Sequence, residues 1–156
     1  MLDQSRAKGR VVTDWLASED AFAITTAAEH NDTELALLLR FLLYTGVRLG
    51  EALKLDREAV RLEEATAWIR RGKGGIASDV RLTPELVPGF KAHLDKHERR
   101  RVFRFNQGGH LKHQLVRVKL AALKLPLPCP PPQRPGGTAQ RLAWVNFHSF
   151  RHSWAS

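Results

Sequence analysis

The segment ELALLLRFLLY, residues 34–44, constrains the fold of this chain more than any other stretch. Its apolar residues cover nearly every face of a helix, so the helix has to be enclosed on most sides rather than lie on a surface. Asn31 and Asp32 come just before it and are suited to ending one helix and capping the next. Gly46 is suited to ending the helix. We therefore expect a central core helix from about Thr33 to Tyr44.

The composition fits one folded domain that meets an anionic partner. The 156 residues are 43% hydrophobic, which is enough to bury a core, and carry a net charge of +9. Such a basic chain indicates nucleic acid first, ahead of an acidic membrane surface or a protein partner. The single cysteine, Cys129, excludes an internal disulfide and a zinc site built from several cysteines. No signal peptide and no membrane-length apolar run is found, so we expect a cytoplasmic protein without a membrane partner.

The spacing of apolar residues predicts further helices and a small sheet. The helices are expected at residues 18–30, 49–55, from Thr83–Pro84 onward and at 111–124. Ser18 is expected to cap the first of them. Alternating residues at 66–71 and 78–82 predict an antiparallel hairpin with Lys73 in its glycine-rich turn. The expected fold is mainly α with a small antiparallel β-sheet.

The domain organisation is simple at the level of sequence. Residues 1–12 are polar and basic and are expected to form an N-terminal arm or linker stub. Residues 13–156 are expected to form one domain. Within it, residues 126–137 are rich in proline, which forbids helix and interior strand, so they are expected to be a stiff surface loop.

Three segments carry residues suited to binding a phosphate, namely TGVRLGEALKL (45–55), RRGKGGIASDVRL (70–82) and FHSFRHSWAS (147–156). Arg48 follows the glycine that ends the core helix, so we expect a half-buried cation that needs an anion, either Glu51 or a ligand phosphate. Lys73 lies on a turn that can approach a backbone closely. His148 and Arg151 are three residues apart and share one face of a helix. Together these side chains would form a phosphate clamp with an acid–base group.

Each of these residues also has an ordinary structural interpretation. Arg48 can form an internal salt bridge, and Lys73 can simply be solvated. His148 and His152 have zinc-ligand spacing, but no glutamate follows His148 as the metalloprotease motif requires. On the predicted helix at 111–124, the basic residues are either DNA contacts or a solvated face. The DNA-binding candidates of that helix are Lys112, Arg117 and Lys119.

The order of the three segments resembles the tyrosine recombinase, or phage integrase, family. Arg48 matches the first catalytic arginine of the family pattern TGxRxxEaLxL. Lys73 matches the catalytic lysine of a GKG hairpin turn. His148 and Arg151 match the histidine and second arginine of an HxLRHxxAT box. The resemblance covers nearly the whole chain from about Thr13.

The resemblance implies a catalytic domain that exchanges DNA strands through a 3′-phosphotyrosyl intermediate. Arg48 and Arg151 would hold the non-bridging phosphate oxygens, and Lys73 would protonate the leaving 5′-oxygen. His148 would hydrogen-bond the phosphate or take the proton of the nucleophile. No metal or nucleotide cofactor is implied, because the covalent link conserves the ester energy. The implied partners are duplex DNA and other recombinase protomers.

The sequence also departs from the family pattern. The family places its nucleophilic tyrosine after the HxxRH box, and this sequence ends at Ser156, so we expect a partial catalytic domain that is inactive alone. The one tyrosine, Tyr44, is expected to pack within the core helix rather than act as a nucleophile. We also expect Phe147, Phe150 and Trp154 to expose apolar surface, since further elements of the family fold would cover them.

Three functions stay open on this sequence. The first is a remnant or trimmed piece of an integrase that keeps most of its catalytic site. The second is a non-catalytic DNA-binding module that regulates a full-length recombinase. The third is an unrelated basic RNA-binding or interaction domain, which requires the four matched residues to be scattered in space.

Overall fold

The fold is described by a computed structural model for residues 16–70, 76–124, 142 and 145–154, without the side chains of 151–154. Its elements in chain order are α1 (Ser18–Asn31), α2 (Thr33–Thr45), α3 (Leu49–Leu53), a 3₁₀ helix (Arg57–Ala59), β1 (Val60–Arg61), β2 (Thr66–Ile69), β3 (Ser78–Arg81), α4 (Leu86–Lys96), α5 (Gly109–Ala122) and α6 (Phe147–Trp154). This order confirms a mainly α fold with a small antiparallel sheet. The hairpin turn with Lys73 and the proline-rich stretch lie outside the described residues.

Helix α2 is the centre of the core, as its composition predicts. The side chain of Asp32 accepts hydrogen bonds from the backbone N–H groups of Glu34 and Leu35, which caps the helix start. Gly46 ends the helix with a φ of 71°, a left-handed conformation that glycine adopts without a steric penalty. Helices α1, α4 and α6 all pack against α2. The enclosed helix therefore organises the rest of the domain.

Helix α1 begins where it is predicted to begin, but Ser18 does not cap it. The cap position belongs to Ala17, which has no side-chain acceptor, and Ser18 is the first helical residue. The first turn instead carries Glu19 and Asp20, whose negative charges favour the positive end of the helix dipole. At the other end, the Asn31 amide donates a hydrogen bond to the Ala27 carbonyl.

The sheet has three strands in the order β1-β2-β3, all antiparallel, rather than the two strands that the sequence predicts. The predicted hairpin is β2 and β3, with Thr66 opposite Arg81 and Ile69 opposite Ser78. Strand β1 is two residues long, too short to show any alternation of its own. Its pairing with β2 depends on the turn at 62–65, so it could not be read from local spacing.

Helices α5 and α6 complete the core around α1 and α2. The predicted apolar stripe of α5 is confirmed, because its buried residues are Leu111, Leu115, Val118 and Ala122. Helix α6 packs along α2 and buries Phe147 and Phe150. The expectation that these two phenylalanines would be exposed is wrong, since the face of α2 that they need is already present in this chain.

Candidate nucleic-acid interface

Arg48 sits between the left-handed turn that ends α2 and the start of α3. Its backbone N–H donates a hydrogen bond of 3.3 Å to Glu51 Oε1, and its own carbonyl accepts from the Ala52 N–H. The side chain is exposed, which corrects the expectation of a half-buried cation. Within the described part of the chain, its guanidinium has no hydrogen bond or ion pair, because Glu51 contacts the backbone instead. An exposed guanidinium on an anchored backbone is free to meet an anion from outside.

The loop before α5 closes over the Arg48 segment. A Cβ on Gly50, the second residue of α3, would lie 3.5 Å from Oε1 of Gln107. This contact places the N-terminal end of α5 beside the start of α3. Lys112, one turn into α5, is exposed. The Arg48 segment and the basic helix α5 therefore adjoin each other.

His148 lies in the first turn of α6 and is exposed. The start of α6 is fixed by a reciprocal pair of hydrogen bonds. The Ser149 N–H donates to Asn146 Oδ1 at 3.1 Å, and the Asn146 N–H donates to Ser149 Oγ at 3.0 Å. With Phe147 and Phe150 buried on either side, the helix has one defined rotation, which leaves the face of His148 toward solvent.

Of the other two residues of the predicted clamp, Arg151 belongs to a described helix and Lys73 does not belong to a described element. Arg151 lies within α6, three residues after His148, so its backbone follows the same helix. Its side chain is not among those described. Lys73 lies outside the described residues. The structure therefore brings the Arg48 segment and α6 onto one core helix, α2, and leaves the position of Lys73 a prediction.

The three basic residues predicted on α5 have different surroundings. Lys112 and Arg117 are exposed, and neither has an ion pair among the described residues. Lys119 is half-buried, and its ammonium donates a hydrogen bond of 2.7 Å to the Val145 carbonyl just before α6. Burial lowers the pKa of Lys119 below its ordinary value. Sequence spacing placed these residues off the apolar stripe but could not show which of them are exposed and which is half-buried.

Tyr44 is less enclosed than the sequence indicates. It lies in the last turn of α2, and 37% of its surface is exposed. The expectation that it packs within the core is wrong, because Tyr44 lies on an exposed side of α2, whereas Leu42 and Val47 nearby are buried. Tyr44 lies four residues before Arg48 in the sequence.

A buried ionic cluster around Glu34 was missed by sequence analysis. The Glu34 side chain is only 4% exposed and lies 2.9 Å from Arg99 and 2.8 Å from Arg104. Its other oxygen accepts the backbone N–H of Arg104, and Arg104 also pairs with Asp32. Burial raises the pKa of Glu34, but the hydrogen bonds from Arg104 and Arg99 outweigh it and hold the pKa below its ordinary value. The hydrogen bond to Asp32 is the main reason that the pKa of Arg104 is raised.

This cluster includes two histidines at metal-ligand spacing. Ligand atoms of Glu34, His93 and His97 lie within 4.8 Å of one another. Glu34 already accepts two guanidinium donors and a backbone N–H, and His93 Nε2 already pairs with the Val102 carbonyl at 2.6 Å. A divalent cation would have to approach beside two guanidinium charges, which Coulomb repulsion opposes. The cluster therefore fits an internal ionic clamp better than a metal site.

Comparison with known proteins gives the fold and the family. The sequence profile described as "Phage integrase family" matches residues 14–156. This chain is a member of the phage integrase family. Among curated protein sequences, none matches this integrase-family chain.

Solved structures of recombinases share the fold of this family member. It superimposes on XerA recombinase with a TM-score of 0.66 at 23% identity, covering 90% of this chain and 48% of that one. It superimposes on a lambda integrase tetramer bound to a Holliday junction with a TM-score of 0.64 at 16% identity, covering 90% and 41%. The lambda integrase catalytic core gives 0.63 at 16% identity, covering 90% and 80%. The chain thus spans about half, or less, of the first two proteins.

Among the residues that the structure describes, no helix combines the length and the apolar character that crossing a bilayer requires.

Proposed function

We propose that this chain is the DNA-binding part of a site-specific tyrosine recombinase and holds the scissile phosphate through Arg48, His148 and Arg151. The observation that carries the proposal is the packing of two motif-bearing elements on one helix. Arg48 emerges from the end of α2, and the helix with His148 and Arg151 packs along α2. At that position, an exposed guanidinium that forms no hydrogen bond or ion pair with the described residues supports a role toward an external anion.

The proposed roles follow the chemistry of each group. Arg48 and Arg151 bind the non-bridging oxygens and offset the charge that builds up in the transition state. Lys73 protonates the leaving 5′-oxygen, and His148 hydrogen-bonds the phosphate or accepts the proton of the attacking hydroxyl. Lys112 and Arg117 contact neighbouring phosphates and make binding salt-dependent. Tyr44 has no role as a nucleophile in this scheme.

The proposed partners are duplex DNA and other recombinase protomers. The similar structures include a lambda integrase tetramer on a Holliday junction and a XerH site-specific recombinase on its difH substrate. The excess of basic residues, giving +9, supports an anionic partner for this chain. No metal or nucleotide cofactor enters the proposed chemistry.

The second candidate is a DNA-binding module that regulates a full-length recombinase without catalysis. The observation that favours it is that the exposed cations Arg48, Lys112 and Arg117 suffice for binding DNA phosphate, whether or not a strand is cleaved. This candidate shares the fold and the DNA contacts of the first and differs only in strand cleavage.

A nicked suicide substrate separates the two candidates. The chain is incubated with this DNA, alone and with a peptide that carries the family's C-terminal tyrosine segment, and covalent adducts are resolved on a denaturing gel. We expect an adduct only when the peptide is present, and its loss in Arg48→Ala. DNA binding without any adduct under both conditions would favour the regulatory module. An adduct from the chain alone would require a nucleophile that this scheme does not contain.

A further inference from the structure

Lys119 differs from the other basic residues of α5 in what its side chain contacts. Lys112 and Arg117 point into solvent, whereas Lys119 is half-buried and donates to the Val145 carbonyl at 2.7 Å. A DNA phosphate needs an accessible cation, and a half-buried ammonium that is already hydrogen-bonded to a carbonyl is a poor candidate. Burial also lowers its pKa, consistent with an inward position.

The carbonyl that Lys119 holds lies at the entrance to α6. Val145 is buried and is fixed from the other side by its N–H, which donates to the Leu142 carbonyl. Asn146 follows directly and caps α6 through its reciprocal hydrogen bonds with Ser149. His148 comes two residues later, in the same first turn. Val145 and His148 are therefore joined by a short, hydrogen-bonded turn, so the position of Val145 constrains the position of His148.

We propose that Lys119 is a positioning residue that fixes the start of α6, the helix that carries His148 and Arg151. This inference rests on the proposed function, since it gives Lys119 a purpose only if α6 carries phosphate ligands. It replaces the expectation that Lys119 contacts DNA directly. The cation acts inside the protein, on a backbone carbonyl, and its effect on DNA passes through α6.

The test is a double-mutant cycle on affinity for duplex DNA. Lys119→Met removes the donor and keeps the approximate side-chain length, Arg151→Ala removes a proposed phosphate ligand, and both are combined. We expect Lys119→Met to weaken binding on the order of fivefold and to cost clearly less in the Arg151→Ala background, because both changes then disable the same helix. Lys119→Arg keeps a donor and a charge, and we expect it to restore affinity to within about twofold. Lys91→Met, an exposed lysine on α4, measures the effect of losing one charge, expected to be under about twofold.

Strictly additive losses, or no loss in Lys119→Met, would overturn the positioning role. The proposed function has its own readout, because Arg48→Ala does not involve α6. If Arg48→Ala and Arg151→Ala both leave affinity unchanged, the phosphate-binding proposal fails and the positioning role fails with it. If both weaken binding while Lys119→Met behaves additively, only the positioning role fails.

A second measurement needs no variant and guards against a Lys119→Met protein that does not fold. The lysines of the unaltered chain are acetylated with and without duplex DNA, and each site is quantified by mass spectrometry. We expect Lys112 to react readily in the free chain and to be protected by DNA, and Lys119 to react slowly in both. A Lys119 that reacts as fast as Lys112 and becomes protected by DNA would be a direct DNA contact.

Discussion

Arg48 has the opposite surroundings to Arg99 and Arg104 within the same basic chain. Arg99 and Arg104 pair with Glu34, a carboxylate that is almost completely buried. Arg48 is exposed and is held only through its backbone, with no partner for its guanidinium in the described residues. Arg99 and Arg104 anchor a loop to the start of α2, whereas Arg48 follows the end of the same helix. The number of positive charges in a segment therefore does not indicate which of them are available to a ligand.

The largest expected effect comes from removing the Glu34 carboxylate, which holds Arg99 and Arg104. Glu34→Ala leaves two guanidinium groups and the Arg104 backbone N–H without their acceptor, so we expect a loss of about 2–4 kcal/mol in the free energy of unfolding. Urea denaturation followed by circular dichroism measures it. The matched control is Glu29→Ala, which removes an exposed pair with Arg40 at 2.7 Å and is expected to cost less than about 1 kcal/mol. Equal losses in the two variants would mean that the Glu34 cluster does not anchor the loop.

The second prediction concerns pH and the same carboxylate. The pKa of Glu34 is below its ordinary value of 4.5 in the folded chain, so its contribution to stability is fully present above that pH and is lost as the pH falls through the lower, folded-state pKa. Glu34→Gln lacks this titration. We expect the difference in melting temperature between the two proteins to be constant from pH 7 to about pH 5 and to shrink below it. A difference that grows on acidification would contradict the assigned direction.

The smallest expected effect lies on the exposed face of α5. Lys112→Ala should weaken duplex DNA binding by less than about 1 kcal/mol and lower the slope of log affinity against log salt by about one, because one phosphate contact is lost. Fluorescence anisotropy at several salt concentrations measures both quantities. The core contact at this turn of α5 is made by the buried Leu111, whereas Lys112 is exposed. The free energy of unfolding of Lys112→Ala should therefore not change, and it serves as the control. An unchanged slope would remove Lys112 from the interface.

Local spacing explains which parts of the fold could be predicted. Helix α2, the α5 stripe and the β2–β3 hairpin each repeat a pattern within a few residues, and all three are confirmed. Strand β1 has two residues and is defined only by pairing with β2. The Ser18 cap was wrong because Ser18 has a suitable side chain but lies one residue inside the helix.

The contacts of the candidate site were harder to predict because they join distant parts of the chain. Arg99 and Arg104 meet Glu34 across 65 and 70 residues, and Lys119 reaches Val145 across 26. No periodicity marks such pairs, and a lysine that faces inward has the same sequence signature as one that faces solvent. The motif order identified the family, but only the structure distinguishes the anchored cations from the available ones.

The central claim is that the position of Arg48 beside the motif-bearing helices, rather than exposure or total charge alone, makes it a ligand of DNA phosphate. The most direct test compares Arg48→Ala with Arg100→Ala in duplex DNA binding under the same salt conditions. Both remove one exposed arginine, and Arg100 is 81% exposed with only a loose contact of 3.7 Å to Asp56. We expect Arg48→Ala to lose about 1–3 kcal/mol of binding free energy and Arg100→Ala less than about 0.5 kcal/mol. Equal losses in the two variants would show that DNA responds to net charge alone and would contradict the account.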